Sequence, residues 1–203
     1  MNIGEIMRLA PVIPVLVVED APKARGIAEA LVGAGLRTLE VTLRTPAALD
    51  AIREMKKVEG AVVGAGTVLN ERDLQRAIDA GSEFIVSPGL TEPLGRAAIE
   101  SGVPFLPGIA TPGDLMRGLD LGLSHFKFFP AATSGGIEAL KALTGPFAEA
   151  RFCPTGGVTP QSAADWLAIP AVLCVGGSWL NLKNEDYEGL GQAARAAAAT
   201  ARA

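Results

Sequence analysis

Residues 37–68 read RTLEVTLRTPAALDAIREMKKVEGAVVGAGTV. A β-branched run, RTLEVTL (37–43), leads into a helix start at Thr45-Pro46 and the amphipathic stretch AALDAIREMKK, after which a second β-branched run, AVVGAGTV (61–68), begins. Strand, helix and strand in that order describe one crossover between parallel strands, which is right-handed in nearly all proteins.

The unit repeats along the chain. PVIPVLVV (11–18), FIVSPG (84–89), PFLPGI (104–109), HFKFFPA (125–131), RFCPTGG (151–157) and AVLCVGG (171–177) join the two runs above to make eight candidate strands, spaced by about 20 to 25 residues. Further helix starts stand at Asp20-Ala21-Pro22, Asn70-Glu71, Thr91-Glu92-Pro93, Thr111-Pro112 and Thr159-Pro160, where a capping side chain precedes the first turn and proline often occupies it. Gly35, Gly81, Gly102 and Gly122 are placed to close helices in a left-handed conformation. The alanine-rich tail QAARAAAATARA is expected to form a closing helix that frays. Eight such units predict a (β/α)8 TIM barrel of the α/β class, a single domain over residues 1–203 with eight parallel strands and a short N-terminal helix. An open doubly wound sheet would carry a GxGxxG turn after its first strand, where this chain has Glu19-Asp20-Ala21-Pro22.

Composition narrows the function classes. The chain has 203 residues, 49% of them apolar, with no uninterrupted apolar run of the ~18 residues that a membrane span requires. A net charge of −4 without a Lys/Arg cluster argues against a nucleic-acid or anionic-membrane partner, and points to small molecules. The first ten residues, MNIGEIMRLA, show no secretory pattern, so the cytoplasm is the expected compartment. Cys153 and Cys174 lack CxxC spacing and read as buried small apolar residues. With His125 as the one histidine, no metal or other cofactor is expected. The chemistry then falls to Lys, Glu, Arg, hydroxyls and backbone.

A barrel strand is buried on both faces, so a charged residue inside one is informative. In RTLEVTLR the period of two puts Leu39, Val41 and Leu43 towards the helices and Thr38, Glu40, Thr42 and Arg44 towards the axis, with Arg44 near the C-terminal rim where barrel active sites lie. In HFKFFPA the same alternation sets His125, Lys127 and Phe129 against Phe126 and Phe128. Lys127 is then an amine among aromatics, where desolvation favours the neutral form that attacks a carbonyl. A purely structural Lys127/Glu40 ion pair is the alternative. Paired glycines with nearby hydroxyls, TGGVTP (155–160) and VGGSWL (175–180), follow the last two strands and suit a phosphate. Gly66 and Thr67 reach the rim of the third strand, where the hydroxyl can meet a carboxylate. Pro88 by itself reads as a turn proline, Trp166 as helix packing and His125 as a satisfied core histidine.

The strings LEVTLRT, GAGTVLN, FIVSPGLTEPL, HFKFFPA, GPFAEARFCPTGGVTP and VGGSWL together closely resemble the bacterial 2-dehydro-3-deoxy-phosphogluconate (KDPG) aldolases, also called 4-hydroxy-2-oxoglutarate aldolases. The likeness runs in order from about Pro11 to Leu180. It implies a metal-free class I aldolase, a trimer of small barrels, that cleaves a phosphorylated keto acid to pyruvate and glyceraldehyde 3-phosphate, as in the Entner–Doudoroff route. It places the Schiff-base lysine on Lys127 and the general acid/base on Glu40. The pyruvate contacts fall on Arg44, Thr67 and Pro88, the phosphate contacts on Gly156, Gly157 and Ser178, with Thr155 beside the substrate chain. Strand alternation reaches Lys127, Glu40 and Arg44 independently; Pro88 and Thr155 rest on the resemblance. A phosphosugar isomerase, a metal-dependent aldolase and a non-catalytic phosphate-binding barrel are the rival readings.

Overall fold

A computed structural model describes residues 1–200. Helix α1 (Ile3–Arg8) precedes β1 (Val12–Leu16), and strand and helix then alternate: α2 (Ala21–Gly33), β2 (Thr38–Thr42), α3 (Ala48–Met55), β3 (Val62–Gly66), α4 (Glu71–Asp79), β4 (Ile85–Val86) and α5 (Glu92–Ser101). Two short strands follow, β5 (Phe105–Leu106) and β6 (Gly108–Ile109), then α6 (Pro112–Asp120), β7 (His125–Phe128), α7 (Gly136–Thr144), β8 (Arg151–Pro154), α8 (Ala163–Leu167), β9 (Val175–Gly177) and α9 (Tyr187–Ala198). No described helix is long and apolar enough to cross a membrane. Of the alanine-rich tail, residues 201–203 lie outside the described residues.

The α/β class and the parallel pairing agree with the sequence; the strand count differs. The strands lie in a six-stranded sheet, ordered β5-β4-β3-β2-β1-β9, and a three-stranded sheet, β6-β7-β8, with every pairing parallel. The expected fifth strand is divided between the two sheets at Pro107, which has no N–H to give to a ladder. The expected fourth strand keeps only Ile85 and Val86. The last one starts late: Val172 N–H donates to the turn carbonyl of Ile169, and the regular strand begins at Val175. Isolated parallel bridges, Phe152↔Val172 and Thr155↔Gly176, link β8 to the segment containing β9.

Alternation along the strands produces two apolar clusters. The larger takes Leu39, Val41, Val63, Ala65, Phe126 and Phe128 from the strands and packs them against α2 to α9. The smaller lies on the opposite strand faces, with Ile13, Val62, Phe84, Val86, Leu106 and Cys153, and among the described residues the only helix that enters it is α1, through Ile6 and Met7. Cys153 and Cys174 are both buried, as expected of small apolar residues.

Helix starts fall at the expected positions with two exceptions, although Asp20 and Thr91 occupy their N-cap positions without a side-chain cap bond. Thr111 and Asp114 form a reciprocal capping box on α6, and Asn70 accepts from Asp73 N–H on α4. Thr45 does not cap α3, which starts at Ala48; its hydroxyl donates to Val18 O at 2.5 Å and ties the β2–α3 loop to the end of β1. Thr159 likewise stands ahead of α8, accepting from Ser162 N–H within a turn. Gly35, Gly81, Gly102 and Gly122 all adopt positive φ after their helices.

Candidate active site

β2 places its polar residues on the face away from α2 to α9, and each has a partner there. Thr38 Oγ1 donates to Ile6 O at 3.4 Å, fixing α1 beneath the strand. Thr42 Oγ1 donates to Leu16 O at 2.8 Å and accepts from Arg44 Nε at 3.2 Å, so the guanidinium at the rim is held by its own strand. Between them, Glu40 is 3% exposed. Its carboxylate crosses over the neighbouring strand at Gly66, where a Cβ would collide with Oε1. That close approach is why residue 66 has no side chain.

β7 supplies the partner. Phe126 and Phe128 turn outward, with ring centroids 6.4 Å from Phe152 and 6.3 Å from Trp166 respectively. Burying such a ring stabilises the fold by roughly 1.5–3 kcal/mol, which anchors the strand and leaves Lys127 facing the interior. Lys127 Nζ donates to Glu40 Oε1 at 3.1 Å and lies 5.3 Å from the centroid of the Phe129 ring. The structure thus contains both features that the sequence offered as alternatives: an ion pair, and a lysine that opens on a cavity beside an aromatic. Below it His125 is half-buried against α1, its Nδ1 3.0 Å from Ser124 Oγ. Burial, reinforced by the positive charges of Arg151 and Arg8, lowers its pKa from 6.5.

A cavity of about 310 Å³ opens above the pair. Glu40, Arg44, Thr67, Pro88, Lys127, Thr155, Gly156 and Ser178 line it. Of the residues expected at the site, Gly157 is not in this lining; it is exposed, and a Cβ on it would meet Ala132 on the β7–α7 connection. Gly156 and Gly157 both have positive φ (94° and 80°), which turns the chain sharply after β8. Thr67 also has positive φ, at 58°, an uncommon conformation for a β-branched residue. Val15, Thr42 and Phe129 line the cavity too, although none was singled out as a site residue. Alternation already put Thr42 and Phe129 on the inner face; Val15, in an unbroken apolar run, gave no signal.

Chemically, the cavity offers a primary amine, a carboxylate in direct contact with it, a guanidinium at one side and a glycine turn with a serine at the other. An amine beside an acid/base group is what imine formation with a ketone needs. A family model, described as KDPG and KHG aldolase, matches residues 3–193. The chain belongs to the KDPG and KHG aldolase family. Among its relatives, the KHG/KDPG aldolase of Escherichia coli (strain K12) is 52% identical over 197 residues, covering 95% of this chain and 92% of the relative. The crystal structure of the 2-keto-3-deoxy-6-phosphogluconate aldolase of Zymomonas mobilis ZM4 with 3-phosphoglycerate superposes with a TM-score of 0.98 at 56% identity, covering 100% of this chain and 97% of that one. The KDPG aldolase of Legionella pneumophila, with pyruvate captured at low pH as a covalent carbinolamine intermediate, gives 0.93 at 39% identity, over 98% and 99% of the two chains. Within the KDPG and KHG aldolase family, this chain therefore matches over nearly its whole length.

Proposed function

We propose that the protein is a class I aldolase that reversibly cleaves 2-keto-3-deoxy-6-phosphogluconate to pyruvate and glyceraldehyde 3-phosphate, and 4-hydroxy-2-oxoglutarate to pyruvate and glyoxylate. The observation that carries this reading is the buried contact of Lys127 with Glu40 on the floor of an open cavity. Glu40 takes a proton from Lys127, and the amine attacks the C2 ketone to form a carbinolamine. Glu40 returns the proton to the leaving hydroxyl, water departs and an iminium remains. The iminium accepts the electron pair of the C3–C4 bond as the C4 hydroxyl loses its proton, which releases the aldehyde. Protonation of the enamine at C3 and hydrolysis of the imine release pyruvate and restore Lys127. A single carboxylate can serve each proton transfer because every one occurs within reach of the same nitrogen.

Arg44 pairs with the keto-acid carboxylate through a planar fork that a lysine lacks, with Thr67 and Pro88 beside it. Thr155 faces the middle of the substrate. Gly156, Gly157 and Ser178 hold the phosphate or the distal carboxylate, and fixing both ends converts binding into alignment. The relative with 3-phosphoglycerate and the relative trapped with pyruvate support a site that accepts a phosphorylated acid and a keto acid.

We read the two sheets as one closed barrel of eight strands within a single domain, with Phe105–Ile109 counted as one interrupted strand; the bridges from β8 to β9 support this. A homotrimer in the cytoplasm completes the reading, supported by the family resemblance. Borohydride reduction with pyruvate, followed by peptide mass analysis, tests the chemistry: an adduct on Lys127 is expected. An adduct on another lysine, or none, refutes it.

A further inference from the structure

Ser178 stands at the edge of the cavity just past β9, and the side chain of Asn181 bonds to its carbonyl. β1 and β9 pair in register from Val12↔Val175 to Pro14↔Gly177. Beyond Gly177 the backbone leaves the sheet, but the Asn181 carboxamide takes its place. Val17 N–H donates to Asn181 Oδ1 at 2.7 Å, and Asn181 Nδ2 donates to Val15 O at 2.9 Å. Those are the two bonds that a backbone residue opposite Leu16 makes in a parallel ladder. Nδ2 also donates to Ser178 O at 2.8 Å. One half-buried amide thus adds a rung to the sheet and ties that rung to the serine turn. Two of the residues it holds, Val15 and Ser178, line the cavity.

We infer that Asn181 is a positioning residue for the distal end of the substrate, fixing the Ser178 turn against β1 at the separation that a phosphate group requires. The inference rests on the aldolase reading above and deepens one end of it. The amine, carboxylate and guanidinium lie on β7, on β2 and just after β2, and among the described residues no hydrogen bond from Asn181 reaches them. Loosening Asn181 should therefore affect recognition of the phosphate and spare the chemistry of the keto acid.

The test compares the full chain with Asn181→Ala and Asn181→Asp. The aspartate keeps the acceptor for Val17 N–H but loses both donated bonds and sets an oxygen against Val15 O and Ser178 O. Two readouts are taken on each protein: KM for 2-keto-3-deoxy-6-phosphogluconate, and exchange of the pyruvate methyl protons with deuterated water followed by proton NMR, which uses the keto-acid end alone. In both variants KM is expected to rise about tenfold, and exchange to stay within about twofold, since misplacement of one contact by a fraction of an ångström acts on alignment. Inorganic phosphate, as a competitor, should weaken in parallel with KM. An unchanged KM overturns the inference, as does an equal loss of KM and exchange, or failure of both variants to fold, each of which assigns Asn181 to stability alone. A wild-type protein that neither cleaves the substrate nor exchanges pyruvate protons instead sinks the aldolase reading, and this inference with it.

Discussion

Lys127 Nζ donates to Glu40 Oε1 across 3.1 Å, from the middle strand of the smaller sheet to an interior strand of the larger, with the two side chains 7% and 4% exposed. Among the ion pairs of the described residues this is the one with both partners buried. Removing one member of such a pair leaves the other without compensation, typically at about 3–5 kcal/mol, so a buried pair adds little stability that a well-packed apolar pair would not. In the proposed mechanism its use is chemical: the amine that would attack a ketone already touches the group that would take its proton.

Glu40→Gln keeps the shape and a hydrogen-bond acceptor but cannot cycle a proton. Turnover should fall by about 10²- to 10⁴-fold, the usual contribution of a positioned acid/base, with the Kd for pyruvate changed only a few-fold. Steady-state kinetics and calorimetric titration measure the two. Equal losses in both would make Glu40 a binding residue.

Gly66→Ala should reach the same carboxylate from the other side. A methyl group there collides with Glu40 Oε1, so the carboxylate must move away from Lys127. Activity is expected to fall at least about tenfold, because catalytic geometry tolerates little displacement. Pyruvate trapping by borohydride would report the loss directly, and an unimpaired trapping rate would show that the carboxylate can move without consequence.

Thr42→Val removes the oxygen that accepts from Arg44 Nε and the hydroxyl that donates to Leu16 O. Stability should drop by about 1 kcal/mol for the lost buried bond. KM should rise several-fold with kcat nearly constant, since the guanidinium is freed but still present. A fall in kcat alone would place Thr42 nearer the chemistry than the geometry does.

Thr67→Gly separates stability from function. The left-handed conformation at φ 58° strains a threonine by about 1–2 kcal/mol, against roughly 0.5–1 kcal/mol of added chain entropy for glycine. The variant should melt at the same temperature or slightly higher, yet bind pyruvate more weakly for want of the hydroxyl. A lower Tm would mean that the side chain holds the turn together.

His125 gives a pH dependence with a definite sign. Burial, then Arg151 and Arg8, depress its pKa in the folded state below 6.5, so the unfolded chain takes up the proton first. The stability associated with the neutral ring is complete above pH 6.5 and is lost as the pH falls through the folded value. No carboxylate is among the groups that shift it. Urea unfolding below pH 6.5 should show falling stability in the wild type and a flatter profile in His125→Gln; parallel profiles would assign the acid sensitivity to other groups.

The sequence by itself determined the strand–helix repeat, the parallel class and the inward face of β2 and β7. Those follow from the period of two along a strand and from cap chemistry, which involve residues only a few positions apart. Tertiary structure decided what no local pattern encodes. It divided the fifth strand between two sheets at Pro107, diverted Thr45 from its helix to Val18, left Gly157 out of the cavity lining and added Asn181 to the β1 ladder. The contacts that matter most join residues 87 positions apart for Lys127 and Glu40, and 164 apart for Val17 and Asn181. Such pairs meet only when the whole sheet has formed, because which rim groups come within hydrogen-bond reach depends on strand register and packing around the core rather than on any single segment's own preference.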